Sequence, residues 1–314
     1  MKNFIETIQE IISFSPRQLE GESKTAKYLI TILRDAHIPC TTEEFIVGIP
    51  LVGKTELIVD GEPISCEGSC FESGEIRDKD CIISSLYFDA KPERSANINF
   101  NPQCATISLP VYYQVPAIAV MPETLHKILR AENVHGKIDV ARVDHRSINI
   151  LVGNSINPKN ICFAHYDSIK MGAIDNASGV VVMMHIIENH PESLKDTLYV
   201  FAANEELSYD KDIYWGHGYR EFEKEHESIM MQAQQIIVID SVGNGIARRI
   251  NNKEMLKIGF PIVHGEEWYE KIFFIAGDFA HLMTVYHSDD DDGRGMTEGY
   301  MQQAYEMVCD VLNI

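Results

Sequence analysis

The spacing of hydrophobic residues divides the chain into three stretches. Between residues 4 and 36 apolar side chains recur every three or four positions, which predicts two helices separated at Ser15-Pro16. Residues 41–144 carry short aliphatic and β-branched runs separated by glycine, proline and asparagine, which is typical of a mostly β module. The clearest of these runs are residues 56–59, 81–83, 105–108 and 117–120. From Ser147 onward, strand-like runs alternate with helical patterns, which indicates a largely parallel sheet covered by helices.

Continuous apolar runs in this third stretch predict four buried strands. They cover residues 160–164, 198–202, 236–239 and 282–286. Strands buried on both faces read as unbroken apolar runs, because helices cover the sheet from each side. We therefore expect an α/β fold with three α/β/α layers, a mixed and mostly parallel sheet, and a β-rich inserted domain.

Side chains that can bind metal follow each of these four runs. The first run is followed by His165, the second by Asn204-Glu205-Glu206, the third by Asp240 and the fourth by His287. Asp175 comes ten residues after His165 and stands just before an apolar helical run. The carboxyl ends of strands in an α/β sheet meet at one edge, where active sites are built. We therefore expect these side chains to converge.

The combination of side chains at this edge predicts a metal site. Histidine nitrogens and carboxylate oxygens are ligands that zinc accepts, and one shared carboxylate lets five residues hold two ions. The predicted ligands are His165, Asp175, Glu206, Asp240 and His287. Glu205 is then left over, and a carboxylate beside a metal-activated water can act as the general base. Asp167 is placed to bind the other imidazole nitrogen of His165 and fix its tautomer.

Five segments of the chain resemble the metal-site motifs of the zinc aminopeptidases, a family that includes secreted bacterial leucine aminopeptidases, glutamate carboxypeptidase and glutaminyl cyclase. In the order of that family they are Ala164-His-Tyr-Asp-Ser168, Asp175-Asn-Ala-Ser-Gly179, Asn204-Glu-Glu206, Ile239-Asp240 and Tyr286-His-Ser288. The segment from Arg17 to Leu33 is similar to the opening helix of the family. This resemblance implies a catalytic zinc-peptidase domain of residues 1–41 and 147–314. Residues 42–146 resemble a protease-associated insertion.

The resemblance implies a di-zinc aminopeptidase that removes N-terminal residues from peptides through a metal-bridging water. One zinc would be held by Asp175, Glu206 and His287. The other would be held by His165, the bridging Asp175 and Asp240. Two alternatives stay open: a glutaminyl cyclase-like acyltransferase with a single zinc, and a non-catalytic metal-binding homologue.

Charge and composition narrow the range of partners. The chain has 27 basic and 47 acidic residues and a formal net charge of −20, whereas a nucleic-acid partner requires clustered cations. No apolar run approaches the roughly 18 residues of a membrane helix, so we expect no membrane partner. The resemblance to zinc aminopeptidases implies a peptide substrate. Residues 1–19 lack the apolar core and cleavage site of a signal peptide. Together with seven cysteines, an odd number, this predicts a cytoplasmic protein.

Residues 48–55 also satisfy the pattern of a phosphate-binding loop. Such a loop requires a helix that begins at Lys54-Thr55, so that the helix N-terminus faces the phosphates. The residues that follow, 56–59, have the pattern of a strand instead. We therefore predict that this segment binds no nucleotide.

Overall fold

The computed structural model describes residues 2–86, 95–210 and 213–314. The chain separates into two compact units. Unit 1 comprises Met1–Val47, His145–Leu282 and Asp291–Ile314, and unit 2 comprises Gly48–Asp144 and Met283–Asp290. The interpretation of residues 42–146 as a protease-associated insertion stays a prediction.

Two strands, β1 and β8, are 20 residues long each and continue from one unit into the other. The helices are α1 Phe4–Ile12, α2 Glu20–Asp35, α3 Leu125–Arg130, α4 Ser178–Asn189, α5 His217–Gln232, α6 Lys253–Gly259, α7 Phe279–Met283 and α8 Glu298–Leu312. The strands are β1 Cys40–Val59, β2 Glu62–Ile64, β3 Cys66–Gly68, β4 Gly74–Ile76, β5 Ile82–Ser84, β6 Asn97–Phe100, β7 Ala117–Val120, β8 Val134–Gly153, β9 Asn160–His165, β10 Thr197–Ala202, β11 Gln235–Ile239, β12 Arg248–Ile250 and β13 Ile272–Ala276. In the described part of the chain, no helix combines the length and the apolar character that crossing a lipid bilayer requires.

The sheet of unit 1 has the strand order β12-β13-β11-β9-β10-β8-β1. Its central strands β13, β11, β9 and β10 are parallel. At the two sides, β12 runs antiparallel to β13, and β8 runs antiparallel to β10. The expected α/β fold with a mixed sheet is confirmed, and its parallel strands end at a common edge.

The strand predicted at residues 282–286 is wrong. Leu282 lies in α7, and the chain turns directly after this helix. The helix forms because Asp278 Oδ1 accepts the backbone N–H of Ala280 at 2.9 Å, as an N-cap carboxylate does. The fourth parallel strand is instead β13, whose residues are all buried.

The strand predicted at residues 105–108 is also wrong. Only Ser108 pairs with another segment there, in an isolated bridge to Ser288 of the same unit. The Ser108 hydroxyl donates to the main-chain oxygen of Tyr286, so a side chain makes a contact that a strand would make with its backbone. The predicted run at residues 56–59 is confirmed as part of β1, which also contains residues 48–55. The helix that a phosphate-binding loop requires is therefore replaced by strand.

Helices cover both faces of the sheet in unit 1. On one face, Tyr219 and Phe222 of α5 and Leu256 of α6 pack with Phe163 of β9 in a continuous hydrophobic cluster. On the other face, α4 contacts β9 and α8 contacts β13, while α1 packs against both helices. The predicted three-layer arrangement is confirmed, and burial of both sheet faces explains the unbroken apolar runs.

Unit 2 contains a smaller sheet with the order β3-β7-β6-β5. In its core, Ile98 of β6 and Ile118 of β7 pack with Leu57 and Ile138. These last two belong to the parts of β1 and β8 that lie in this unit. The segment Met283–Asp290 joins unit 2 through main-chain hydrogen bonds, including one from Leu109 N–H to His287 O at 3.0 Å. His287 is thus held within the β-rich unit by contacts with a residue that is distant in sequence.

Phe163→Ala should destabilise unit 1 by about 3–5 kcal/mol, because truncation of a buried aromatic residue leaves a cavity. The ring is fully buried and lies 5.1 Å from the ring of Phe222 and 4.9 Å from that of Phe260, between centroids. Urea unfolding followed by fluorescence would measure the change, since Trp215 and Trp268 both lie in unit 1.

The matched control is Ile156→Ala, at a side chain that is 84% exposed. We expect its free energy of unfolding to stay within about 0.5 kcal/mol of the wild-type value. Equal losses for the two variants would contradict the assignment of Phe163 to the core.

Candidate metal centre

Three of the predicted ligands meet at the carboxyl edge of the parallel strands. His165 is the last residue of β9, Asp175 lies in the turn before α4, and Glu206 follows β10. One ring nitrogen of His165 and one carboxylate oxygen from each of the two acids lie within 4.8 Å of one another. All three side chains are buried. Nitrogen and carboxylate donors grouped in this way form a candidate site for a divalent ion.

Asp240 reaches the same place from the end of β11. Its Oδ2 lies 3.7 Å from His165 Nε2, and Asp175 Oδ1 lies 3.1 Å from the same nitrogen. The side chain of Asp240 is 18% exposed, whereas that of His165 is 1% exposed. The structure therefore brings four of the five predicted ligands together, and the Asp240 side of the group is nearest to solvent.

Glu205, the predicted general base, is buried next in sequence to the ligand Glu206. Burial, opposed by the imidazole of His165, raises the pKa of Glu205 well above its ordinary value, and the Glu206 carboxylate adds to the rise. A carboxylate that takes up a proton more readily than usual is suited to general-base chemistry near neutral pH.

The buried group has an excess of negative charge. Burial raises the pKa of Asp240, a hydrogen bond to His165 opposes this shift, and the nearby Asp175 carboxylate raises the pKa further. Like charges in a low-dielectric environment destabilise one another, and a cation bound between them removes the repulsion. The donor atoms and their charge therefore fit a divalent metal ion.

The titration of His165 supports the same conclusion. Burial alone would lower its pKa, but Tyr219 and hydrogen bonds to Asp167 and Asp175 raise the pKa well above the usual value. This electrostatic field favours a positive charge at the imidazole. A metal ion bound at the ring would also place positive charge in this field.

Asp167 positions the cluster without belonging to the donor group. Its Oδ1 accepts the backbone N–H of Glu205 and its Oδ2 accepts that of Glu206, both at 3.0 Å. The same Oδ1 lies 3.4 Å from His165 Nδ1, on the side of the ring opposite the candidate metal. One carboxylate thereby orients an imidazole and two neighbouring glutamates, so we describe Asp167 as a positioning residue.

Arg17 fixes the loop between β9 and Asp175, a role that sequence motifs do not reveal. Its guanidinium is fully buried and donates to the main-chain oxygens of Tyr166, Met171 and Gly172 at 2.7–2.8 Å. Burial lowers the pKa of Arg17 to about 10, so the side chain stays protonated at neutral pH. A residue near the N-terminus therefore holds the segment that carries the candidate ligands.

Asp291 holds the turn that contains Asp175. Its two carboxylate oxygens accept the backbone N–H groups of Ile174 at 2.8 Å and Asp175 at 3.1 Å. Burial raises the pKa of Asp291 to about 7. In the sequence it is one of four consecutive aspartates, 289–292, and no pattern distinguishes it from the others.

Residues in the left-handed backbone conformation lie next to the carboxylates that follow β10 and β11. Asn204, directly before Glu205, has φ of +50°, and Ser241, directly after Asp240, has φ of +55°. Such conformations are unfavourable for residues other than glycine and are often found at functional sites. At Asn204 the side chain stabilises the turn by donating to Leu207 O at 2.8 Å.

His287, the fifth predicted ligand, lies in unit 2. It is buried, and its Nδ1 lies 3.1 Å from the main-chain oxygen of Leu109. A hydrogen bond from Nδ1 to a carbonyl selects the tautomer with its lone pair on Nε2, as metal-binding histidines require. The ligand role of His287 stays a prediction.

Asp167→Asn should weaken zinc binding about 10- to 100-fold, as loss of an orienting hydrogen bond typically does. The amide replaces one of two acceptor oxygens with a donor, which would face the N–H of Glu205 or Glu206. Competition titration against a chromophoric zinc chelator would measure the affinity.

Asp196→Asn is the matched control, because this carboxylate is 47% exposed and pairs with Lys159 at 3.0 Å. Its zinc affinity should equal that of the wild type. The positioning role of Asp167 would be wrong if both variants bound zinc as tightly as the wild type.

One family model matches part of the chain. Residues 149–245 match the model of Peptidase family M28. The matched segment contains the predicted ligands His165, Asp175, Glu206 and Asp240, together with Glu205. A comparison with curated proteins finds no match.

Solved structures share the fold over nearly the whole chain. BSAP, a zinc aminopeptidase from Bacillus subtilis, has 16% identity and a TM-score of 0.68, with 98% of this chain and 92% of that chain covered. The aminopeptidase from Aneurinibacillus sp. strain AM-1 has 15% identity and a TM-score of 0.60, with 97% and 92% covered. Glutaminyl cyclase from Porphyromonas gingivalis has 13% identity and a TM-score of 0.52, with 99% and 96% covered. The resemblance to zinc aminopeptidases of Peptidase family M28, expected from the strand-end motifs, is therefore confirmed.

Proposed function

We propose that this protein is a di-zinc aminopeptidase that hydrolyses the N-terminal peptide bond of peptides. The observation that carries the proposal is the buried group of His165, Asp175 and Glu206, with Glu205 adjacent in sequence to one of its members. The match to Peptidase family M28 over this segment supports the proposal.

The two metals would share Asp175. His165 and Asp240 would hold one ion with it, and Glu206 and His287 would hold the other. The metals, when bound, supply a positive field that acidifies water and polarises the scissile carbonyl. Asp175 is suited to bridging, because its turn is held in place. The backbone N–H groups of Ile174 and Asp175 both donate to the carboxylate of Asp291.

Glu205 would move the proton in this reaction. Its carboxylate accepts a proton from the attacking water, the water oxygen bonds to the carbonyl carbon, and the bond from this carbon to nitrogen breaks. The same carboxyl then returns the proton to the leaving amine, so the base is regenerated. Asp167 holds the backbone of Glu205 through the hydrogen bond to Oδ1, which keeps the proton carrier in place.

Two alternative functions differ from this proposal in their products. A glutaminyl cyclase-like enzyme would use one zinc and release ammonia, and the fold shared with the Porphyromonas gingivalis glutaminyl cyclase supports it. The position of Asp240, 3.7 Å from His165 Nε2, favours a larger ligand group and hence two metals. A non-catalytic homologue would bind metal without turnover. Burial of the Glu205 carboxylate is energetically costly, and this alternative assigns it no role that would offset the cost.

Glu205→Gln should retain zinc and lose at least about 100-fold of the peptide turnover, because an amide cannot accept and return the proton. The assay is mass spectrometry of a defined peptide mixture after incubation with the zinc-loaded protein and with a chelated sample. Stepwise loss of N-terminal residues, abolished by chelation, is the expected result for the wild type.

Glu192→Gln serves as the control variant, since this carboxylate is 66% exposed. It should show wild-type turnover. Loss of ammonia only from peptides that begin with glutamine would replace the proposal with the cyclase. An unchanged mixture despite bound zinc would favour the non-catalytic homologue, and full activity of Glu205→Gln would remove the mechanism.

A further inference from the structure

The backbone of Glu205 is held from two directions. Its N–H donates to Asp167 Oδ1 at 3.0 Å. Its main-chain oxygen accepts the backbone N–H of Gly216, the residue directly before α5. Asp167 follows β9, whereas Gly216 ends the segment of residues 213–216, so the two supports come from different parts of unit 1. The second support therefore depends on what holds residues 213–216 in place.

Gly216 occupies a position that requires glycine. Its φ is +75°, and a Cβ atom there would lie 2.3 Å from Pro261 Cγ. Pro261 leaves no room for a side chain, so glycine allows this close approach of the two segments. Two positions further on, the N–H of Gly218 donates to the main-chain oxygen of Asn204 at 3.3 Å. The start of α5 therefore contacts two consecutive residues at the end of β10, Asn204 and Glu205.

The guanidinium of Arg220, in the first turn of α5, holds residues 213–216. It donates to the main-chain oxygens of Trp215 at 2.7 Å, Ile213 at 3.1 Å and Pro261 at 3.1 Å. The side chain is only 20% exposed, so water has limited access to these contacts. A planar guanidinium donates in several fixed directions at once, which a lysine ammonium cannot reproduce. Arg220 thereby joins residues 213–216 to α5 and to Pro261.

Asp210 orients this guanidinium. Its Oδ2 lies 2.6 Å from Arg220 Nη2 and 2.7 Å from His217 Nδ1. Burial would raise the pKa of Asp210, but hydrogen bonds with His217 and Arg220 lower it to about 2. Asp210 is therefore ionised at neutral pH, and hydrogen bonds between charged groups are stronger than those between neutral ones. The position of Arg220 is thus fixed by an ion pair as well as by carbonyl groups.

We propose that Arg220 is a positioning residue for Glu205, and that it acts through residues 213–216 and the hydrogen bond from Gly216 N–H. The inference rests on the proposed function, in which Glu205 carries the proton. Its carboxylate must stay aligned with the attacking water and the leaving amine, and a displacement of about 1 Å can lower turnover about 100-fold. Within the described residues, Arg220 donates to none of the candidate metal ligands, so its replacement should leave zinc binding intact.

Arg220→Lys tests this role, because lysine keeps a positive charge beside Asp210 but lacks the planar set of donors. We expect kcat for peptide hydrolysis to fall at least about tenfold, while KM and zinc content stay close to the wild-type values. In Arg220→Ala, guanidinium ions at millimolar concentration should restore part of the lost turnover, whereas ammonium ions should not. Mass spectrometry of peptide cleavage by the zinc-loaded protein would measure the rates.

Glu223→Gln is the matched control, because this buried carboxylate of α5 also holds a loop. Its oxygens accept the backbone N–H groups of Val263 at 2.6 Å and His264 at 2.7 Å. In the described part of the chain, no hydrogen bond joins these two residues to Glu205. Glu223→Gln should therefore lower Tm and leave kcat unchanged. An equal fall of kcat in Arg220→Lys and Glu223→Gln would indicate a general loss of stability and overturn the inference.

Hydrogen exchange at the Gly216 amide tests the contact without relying on turnover. Exchange there, measured by NMR, should be at least about tenfold faster in Arg220→Lys than in the wild type, because the segment that carries this N–H opens more often. A wild-type protein without peptide turnover, combined with faster exchange in Arg220→Lys, would remove the proposed function and keep the positioning contact. Unchanged exchange in Arg220→Lys, or an unchanged kcat in an active enzyme, would overturn the inference.

Discussion

Buried carboxylates repel one another, and the candidate site of unit 1 depends on a cation to offset that repulsion. Asp175, Glu206 and Asp240 converge on His165 with little solvent to screen them. Burial, with a further contribution from this repulsion, raises the pKa of Glu205 and of Asp240, so both carboxylates bind protons more readily than usual. A divalent ion would relieve it more completely than protons do, because it neutralises several carboxylates at once and leaves Glu205 available for proton transfer.

Side chains outside the donor group keep these charges at fixed positions. Asp167 binds the backbone of both glutamates, Asp291 binds the turn of Asp175, and Arg17 binds the preceding loop. Each of these contacts joins segments that are distant in sequence. A metal site benefits from such support, because ligands that are already oriented lose less conformational entropy on binding.

The sequence predicts the local parts of this arrangement well. Unbroken apolar runs identify β9, β10 and β11, and the polar residue at the end of each run identifies a candidate ligand. The prediction fails at residues 282–286, where the capping carboxylate of Asp278 starts a helix in a segment of strand-like composition. The parallel strand that completes the edge, β13, is followed by Gly277 and then by Asp278, whose carboxylate caps α7.

Long-range contacts could not be predicted from the pattern. Arg17 is recognisable only as part of a family motif, whereas its function is to donate to carbonyl groups more than 140 positions away along the chain. Asp291 is one of four consecutive aspartates, and nothing in the sequence distinguishes it from the others. The roles of Arg17 and Asp291 depend on which distant segments the fold brings into contact. The spacing of hydrophobic residues does not specify those contacts.

The most direct test of the central claim is the zinc content of the protein, measured by native mass spectrometry after loading and removal of excess metal. Two zinc ions per wild-type chain, and neither of them retained by Asp175→Ala, is the result that a shared carboxylate predicts. A wild-type chain without zinc, or an Asp175→Ala variant that keeps the wild-type zinc content, would contradict the account.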